Sequence, residues 1–385
     1  MRFGWLVLFF LASQAGAQTL PKNSKITSEL SKSTNAIEHL KDLEKLGPKM
    51  VGNIGLDNTA AFLQQAYLNL GYSSSEIEMD TFTQSGQQLV NVIVTKKGLL
   101  DDYIIICAHY DTKNGIGIND NGTGVAATLA LARTMAKLSS TRTIKFINFT
   151  AEEPGYWGAS RYVGNQLKST QGKLYMLLNL DQLGGTAGGT ENNFIYCEQD
   201  EIQEPNSNNA LSHRITDTLM MLCRTYTSLT PVLTNVELSD YIPFQEVGEV
   251  VTGIYQYGNY PFYHTDRDSL KNVDTTSFKE VIKLCMAATL YFGRVPGFVH
   301  IERIEQAIVT IYPNPAQHSV TVHTSNFQKP LEYSVYSANG QLVMAGKLQD
   351  TKTTVALKNL NTGMYHVTFV GDNGEYFWQR LVVLD

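Results

Sequence analysis

The chain has 385 residues, more than one small domain needs and enough for a large domain plus a smaller one. Its composition, 43% hydrophobic and 17% charged, is that of an ordinary globular protein and excludes disorder as the default. A formal net charge of -6 argues against nucleic acid as a partner, because nucleic acid attracts a basic face. We therefore expect two folded domains and no nucleic-acid partner.

The amino-terminal segment has the layout of a secretory signal peptide. A basic residue, Arg2, precedes the apolar run WLVLFFLA, and small residues stand at Ala15 and Ala17. A membrane anchor is the alternative, but a span needs about 20 apolar residues, and this run is shorter. We expect a signal peptide at residues 1–17 and no membrane span in the mature protein.

Four cysteines are too few and too scattered for a disulfide framework, although one bridge stays open. Cys107 lies inside the apolar run YIIICAH and is predicted to be a buried, unreactive side chain. None of the four has CxxC spacing, so we do not expect thiolate metal ligands.

Helical and strand patterns alternate through residues 18–293. Helices are predicted over residues 36–47, 57–70, 124–138, 156–170, 211–225 and 275–292. Strands are predicted over residues 88–95, 102–111, 143–153, 174–181 and 250–257. This alternation predicts an α/β domain with a largely parallel central sheet flanked by helices, in which ligands bind beyond the carboxyl ends of the strands.

The sequence pattern changes after that domain. Residues 294–307 look like a linker, and residues 308–385 contain only short alternating runs separated by NG, NTG and DNG turns. We expect about seven strands here, forming a small all-β sandwich.

Ionisable residues stand where the predicted strands end. His109 and Asp111 follow a buried strand in AHYD, and Asp120 lies in the glycine-rich segment GIGINDNGTG before a long apolar helix. Taken singly, each has an ordinary alternative: a strand-end pair turned to solvent, and a helix N-cap. No Lys-Ser or Lys-Thr pair follows the glycines, so a phosphate-binding loop is excluded.

The pattern repeats further along the chain. Glu152 and Glu153 are adjacent carboxylates that repel each other without a cation or a proton between them, although a solvated acidic turn is the alternative. Asp181 ends the next strand in LLNLDQLGG, and His264 follows another strand in YPFYHTDRDS.

These strand ends would gather on one rim of the sheet. Two histidines and three carboxylates suit a pair of divalent ions such as zinc, with cobalt or manganese as other candidates. A hydrolase with two ions also needs a carboxylate outside the ligand set to accept a proton from water, and Glu152 fits that role.

The motifs resemble the bacterial leucyl-type zinc aminopeptidase family over roughly residues 36–293. The segments that carry the resemblance, in the family's order, are LGPKMVGNIG, AHYD, GINDNGTG, AEEPGYWGASRYV, LNLDQLG, LSDYIPFQEVG and YHTDRDS. The resemblance implies a parallel sheet flanked by helices, and substrates that are peptides with a free α-amine.

The resemblance also implies a ligand set. His109 and Asp181 would hold one zinc ion, Glu153 and His264 the other, and Asp120 would bridge the two.

Further roles follow from the same resemblance. Glu152 would be the general base and then the acid, and Asp111 would orient a liganding histidine. Tyr263 would stabilise the oxyanion, with simple packing beside the loop as its alternative. Ser239, Asp240 and Phe244 match a segment that borders the specificity pocket.

The tail is similar to the C-terminal sorting domain that many Bacteroidetes exoproteins use for type nine secretion. The shared features are YPNP at residues 312–315, the segments NGQLV and LNTGMYHV, and a basic then apolar ending at Arg380 to Leu384. The resemblance implies secretion or display at the cell surface, export through the periplasm, and the outer-membrane secretion machinery as a partner. A sandwich that binds carbohydrate or a partner protein is the alternative.

Three rival functions stay open for the large domain. A glutaminyl cyclase-like enzyme would release ammonia instead of an amino acid, and a carboxypeptidase or dipeptidase relative would require a free C-terminus. A catalytically dead binding protein would hold no divalent ion.

Overall fold

The computed structural model describes residues 36–201, 208–296, 309–324, 331–337, 341–358, 360–371 and 376–384. The predicted signal peptide and most of the predicted linker lie outside these residues. The chain divides into two compact units, Met1–Val299 and His300–Asp385. In the part that the structure describes, we find no helix with both the length and the apolar character that a bilayer crossing requires.

The first unit is built on one mixed sheet of eight strands in the order β1-β2-β4-β3-β5-β8-β6-β7. The strands are β1 Ile77–Gln84, β2 Gln87–Lys96, β3 Leu100–His109, β4 Arg142–Phe149, β5 Leu174–Asp181, β6 Phe194–Gln199, β7 Thr230–Asn235 and β8 Val251–Gln256. The predicted α/β fold is confirmed.

The four central strands β4, β3, β5 and β8 run parallel to one another. Both faces of such strands are covered, so they carry apolar residues on both faces. Every residue of β4 is buried, as is the run YIIICAH of β3. Since parallel strands end on the same side, their four carboxyl ends meet at one edge of the sheet.

Helices flank this sheet. They are α1 Ala36–Lys45, α2 Ile54–Asn69, α3 Thr123–Met135, α4 Trp157–Tyr162, α5 Asn209–Tyr226, α6 Ile242–Glu246 and α7 Thr275–Phe292, and α4 continues in a wider helical turn over Val163–Leu167. Helix α3 is buried along almost its entire length, which explains its largely apolar sequence. The longer predicted helices match the observed ones to within a few residues at their ends.

Three strands and a short helix were not predicted: β1, β6, β7 and α6. Strand β1 pairs with β2 as an antiparallel hairpin through Ser85 and Gly86, and its sequence IEMDTFTQ lacks the strict alternation of polar and apolar residues that predicts a strand. Strands β6 and β7 are six residues each and lie at the other edge of the sheet. Such short segments with exposed residues lack the continuous apolar signal of the central strands.

The second unit contains two antiparallel sheets, with orders β13-β10-β9 and β12-β11-β14-β15. Their strands are β9 Thr310–Tyr312, β10 Ser319–His323, β11 Leu331–Ser337, β12 Leu342–Leu348, β13 Lys352–Ala356, β14 Gly363–Gly371 and β15 Tyr376–Val383. Val320 of β10, Val335 of β11 and Phe369 of β14 belong to one buried cluster, so the two sheets share a core. The predicted all-β character of the tail is confirmed.

All four cysteines are buried and unpaired. Burial raises the pKa of the Cys107 thiol well above its usual range, as expected for an inert core residue. The optional disulfide bridge does not form.

Gly124 shows how closely α3 packs on the sheet. A Cβ atom there would lie 2.3 Å from the Leu180 carbonyl oxygen and 2.9 Å from the Ala108 Cβ atom. We predict that Gly124→Ala lowers the free energy of unfolding by about 1–3 kcal/mol, because backbone and core must shift. The midpoint of urea unfolding, followed by circular dichroism on the full chain, measures this change.

The matched control is Gly164→Ala, since nothing lies within 4 Å of a Cβ atom at that position. It should leave stability unchanged or raise it by up to about 1 kcal/mol. Equal midpoints for the two variants would contradict the close packing described for Gly124.

Candidate metal centre

The carboxyl edge of the parallel strands carries the predicted site residues. His109 ends β3 and Asp181 ends β5. Glu152 and Glu153 lie in the turn after β4, and His264 lies in the loop after β8. Asp120 lies just before α3, in the turn Ile118–Gly122 that follows β3. The structure thus brings together residues up to 155 positions apart in sequence, from His109 to His264.

Two groups of ligand atoms form within this cluster. His109, Asp120 and Asp181 make up one group, and Asp120, Glu153 and His264 the other, with the atoms of each group within 4.8 Å of one another. Asp120 belongs to both groups because its two oxygens face different histidines. Its Oδ1 lies 3.4 Å from His109 Nε2, and its Oδ2 lies 3.1 Å from His264 Nε2.

The outer carboxylates complete each group. Asp181 Oδ1 lies 3.5 Å from His109 Nε2, and Glu153 Oε2 lies 3.0 Å from His264 Nε2. Two ligands of one tetrahedral zinc ion, with bonds of about 2.0–2.2 Å, lie roughly 3.4 Å apart. The observed spacings of 3.0–3.5 Å therefore suit donors that share an ion.

Orphaned oxygens give a second test of the fit. Asp120 Oδ2 and Asp181 Oδ1 are buried and accept no hydrogen bond from any described residue. A buried carboxylate oxygen without a partner is costly unless a cation compensates it. Nitrogen and carboxylate oxygen donors suit zinc and similar borderline divalent ions. The residues present therefore fit a metal centre.

Glu152 belongs to neither group, although it lies beside them. Its Oε2 is 3.9 Å from His109 Nε2. Its side chain lines a cavity whose walls also include His109, Asp120 and Asp181. Burial, together with the charges of Asp240, Asp181 and Asp111, raises the pKa of Glu152 to about 10. Burial and the charge of Asp120 likewise raise the pKa of Glu153 to about 7.

Asp111 fixes the turn that carries the two glutamates. Its carboxylate accepts hydrogen bonds from the backbone N–H groups of Glu152, at 2.9 Å, and Glu153, at 3.1 Å. Its backbone carbonyl oxygen lies 3.2 Å from His109 Nδ1, and its Oδ1 lies 3.6 Å from the same nitrogen. One residue thus orients a histidine and both glutamates.

Two buried charged residues that were not singled out from the sequence hold the Asp120 loop. Asp268 accepts hydrogen bonds from the backbone N–H groups of Asn119, at 2.7 Å, and Asp120, at 2.9 Å. Lys49 donates from Nζ to the Ile116 carbonyl oxygen at 2.6 Å. Both belong to motifs already recognised, YHTDRDS and LGPKMVGNIG, but sequence spacing does not reveal contacts across the fold.

The segment expected to border a specificity pocket divides in two. Ser239 donates to Asp181 Oδ2 at 2.7 Å and lines the cavity. Asp240 is fully buried, and neither of its oxygens accepts a hydrogen bond from the described residues. Phe244 lies elsewhere, in the core beside Tyr162 with ring centroids 5.8 Å apart.

Tyr263 lies at the open side of the cavity. Its ring stacks on His264 with centroids 3.6 Å apart, and 47% of the residue is exposed. The ring therefore covers a candidate ligand, and Tyr263 is among the residues that line the cavity.

Backbone strain concentrates at this edge. Ala151, Gln182 and His264 adopt left-handed φ values of 53°, 49° and 56°. Such conformations cost on the order of 1–3 kcal/mol each in non-glycine residues and cluster at functional sites. Each of the three lies at or next to a candidate ligand or the candidate base.

The chain is similar to known proteins in sequence and in fold. The chain is 27% identical over 255 residues to aminopeptidase YwaD of Bacillus subtilis, covering 63% of this chain and 51% of that protein. It is 26% identical over 276 residues to leupeptin-inactivating enzyme 1 of Streptomyces exfoliatus, covering 63% and 58%. The chain spans about half of the length of these curated relatives.

Solved structures share the fold. The LapA aminopeptidase of Legionella pneumophila superposes with a TM-score of 0.60 at 17% identity, covering 76% of this chain and 80% of that one. BSAP, a zinc aminopeptidase from Bacillus subtilis, superposes with a TM-score of 0.56 at 17% identity, covering 69% and 95%.

Family models account for both units. Residues 310–384 match the secretion system C-terminal sorting domain. Residues 91–289, just over half of the chain, match the model of peptidase family M28. Together with the site described above, this match shows that the chain belongs to peptidase family M28.

Proposed function

We propose that the chain is an exported metallo-aminopeptidase that hydrolyses the N-terminal peptide bond of peptides with a free α-amine. The observation that carries the proposal is the Asp120 carboxylate, whose two oxygens each face a different histidine with a further carboxylate alongside. The names of the relatives, which are aminopeptidases, support the choice of substrate end.

Two zinc ions fit the two groups of donors, with cobalt or manganese as alternatives. His109 and Asp181 would hold one ion, Glu153 and His264 the other, and Asp120 would be shared. When bound, such ions supply Lewis-acid chemistry that polarises a carbonyl and activates water at neutral pH.

Glu152 is the residue to which we assign proton transfer. It lies at the edge of both groups, is mostly buried, and is held by the Asp111 turn. We assign it the acceptance of a proton from the attacking water and the later donation of that proton to the leaving amine. Metal ions bound by the neighbouring ligands would place positive charge beside Glu152. That charge would lower the pKa of Glu152 from about 10 toward the neutral range that this role requires.

Three side chains would act directly on the substrate. Tyr263 lines the cavity, and its hydroxyl would donate to the oxyanion as the carbonyl becomes tetrahedral. Asp181 and Glu152 supply negative charge on the side where the free α-amine would lie, which disfavours substrates with a blocked N-terminus.

Export forms the second half of the proposal. Residues 1–17 would act as a signal peptide, residues 18–293 as the peptidase domain and residues 294–307 as a linker. The domain at residues 308–385 would direct passage by type nine secretion, since residues 310–384 match a sorting domain.

We predict that Glu152→Gln lowers kcat/KM for an unblocked peptide by about 10²–10⁴-fold, because the amide cannot accept the proton. Metal content, measured by mass spectrometry of the bound elements, should stay at the wild-type level. Glu246→Gln, a change at an exposed glutamate, is the control and should behave like wild type.

The product and the requirement for metal complete this test. Wild type should release the first residue, stop after chelation, and leave an N-acetylated peptide intact. Cleavage that survives chelation, or equal cleavage of the acetylated peptide, would refute the proposal. Loss of ammonia from a Gln-initiated peptide would identify a cyclase instead.

A separate prediction concerns Asp268, which fixes the Asp120 loop. Asp268→Asn offers one acceptor oxygen where two backbone N–H groups now donate, and should weaken divalent cation binding about 10–100-fold. Titration of the metal-free protein with Zn²⁺ measures this. Asp266→Asn, at an exposed acid on the same loop, should bind as wild type does; similar affinities for both variants would remove Asp268 from the support of the site.

The export proposal predicts that deletion of residues 308–385 retains the peptidase in the periplasm of a host with type nine secretion. Fractionation and immunoblotting of full-length and truncated protein test this. Equal amounts of both proteins outside the cell would show that the tail does not direct export.

A further inference from the structure

The cavity that holds the candidate metal ligands extends sideways over strands β8, β6 and β7. It has a volume of about 370 Å³. Beyond the metal centre its walls include three tyrosines, two glutamates and a leucine, namely Tyr196, Tyr241, Tyr255, Glu198, Glu237 and Leu238.

Strand pairing places Glu198 on the far wall of this cavity. Strand β6 runs antiparallel to β8, with Tyr196 opposite Tyr255 and Glu198 opposite Gly253. Tyr255 is in turn the partner of Asp181 on β5. Since neighbouring strands lie about 4.8 Å apart, the backbone of Glu198 is roughly 10 Å across the sheet from β5.

Gly253 makes room for the Glu198 carboxylate. A Cβ atom at that position would lie 2.0 Å from Glu198 Oε2. Glycine weakens a strand interior by about 0.5–1 kcal/mol relative to alanine, and often marks a close approach. Gly253 is therefore unfavourable for the strand, but the Glu198 carboxylate occupies the space that a Cβ atom at this position would fill.

The carboxylate lacks a positive partner. Glu198 is only 6% exposed, and its Oε1 accepts one hydrogen bond, from the Tyr241 hydroxyl at 3.2 Å. No lysine or arginine lines the cavity, and none of those described forms an ion pair with Glu198. Burial, followed by the charge of Asp181, raises its pKa to about 8, as expected for a carboxyl group without a cation nearby.

We propose that this cavity receives the side chain of the N-terminal residue of the substrate, and that Glu198 selects a cationic side chain, lysine or arginine. The inference rests on the proposed function, because it takes the scissile bond to lie at the metal centre. Glu198 would pair with the ammonium or guanidinium group of such a side chain. An aliphatic side chain would instead leave the buried Glu198 carboxylate without a partner.

The rest of the cavity agrees with this assignment. Tyr196 on β6 and Tyr255 on β8 line the cavity, and tyrosine rings attract cations and supply apolar surface for methylene groups. Glu237, at the exposed mouth, adds a second negative charge along the path of entry.

The test compares the full-length, metal-loaded enzyme on peptides that differ only in their first residue, lysine or methionine. Methionine is similar in length but carries no charge. Wild type should favour lysine, and Glu198→Gln should lower the ratio of the two kcat/KM values by about 10–100-fold, the range expected for a lost charged hydrogen bond. Glu246→Gln should leave the ratio unchanged.

Several outcomes would overturn the inference. Wild type that cleaves methionine peptides as well as lysine peptides retains the proposed function but loses the selectivity. An equal loss on both peptides in Glu198→Gln would make Glu198 a structural residue. If Glu237→Gln lowers the ratio as much as Glu198→Gln does, the overall negative charge of the cavity, and not Glu198 itself, determines the selectivity for lysine. An enzyme that cleaves neither peptide refutes the proposed function as well.

Discussion

Each oxygen of the Asp120 carboxylate faces a different histidine, and this shared position sets the demands on the rest of the first unit. A side chain that serves two groups of donors must be fixed at both ends of its loop. Asp268 therefore holds the backbone N–H groups of Asn119 and Asp120, and Lys49 donates to the Ile116 carbonyl oxygen at the start of the same loop. Strain at neighbouring residues is tolerated because this network and the packed strands below determine the geometry.

Much of this arrangement could be predicted from the sequence because the central strands are buried on both faces. Their largely apolar runs end in ionisable residues or are soon followed by them, so both the strands and the site stand out in YIIICAH, LLNLD and TIKFINFTAEE. The parallel direction of the strands then implies a common edge. The identities of the candidate ligands follow from that pattern, while their individual roles follow from family resemblance.

The remainder could not be predicted because its signals are spread over distant contacts. Strands β6 and β7 are short, partly exposed and adjacent to residues with mixed polarity. Glu198 looks like an ordinary acid near a strand end, and its burial depends on Gly253, more than fifty residues away. Phe244 shows the opposite error. The resemblance placed it at the border of the specificity pocket, whereas its ring packs in the core. The parallel centre of the sheet thus carries the reactive groups, while its less regular edge shapes the cavity beside them.

The four buried and unpaired cysteines have a consequence for how the chain matures. With no disulfide in the folded structure, the first unit needs neither an oxidant nor a disulfide isomerase to form one. Thiols in the core, with Cys107 held in its protonated form by burial, also react slowly with oxidants. The fold therefore does not depend on a disulfide, and its buried thiols are shielded from the redox state of the surroundings.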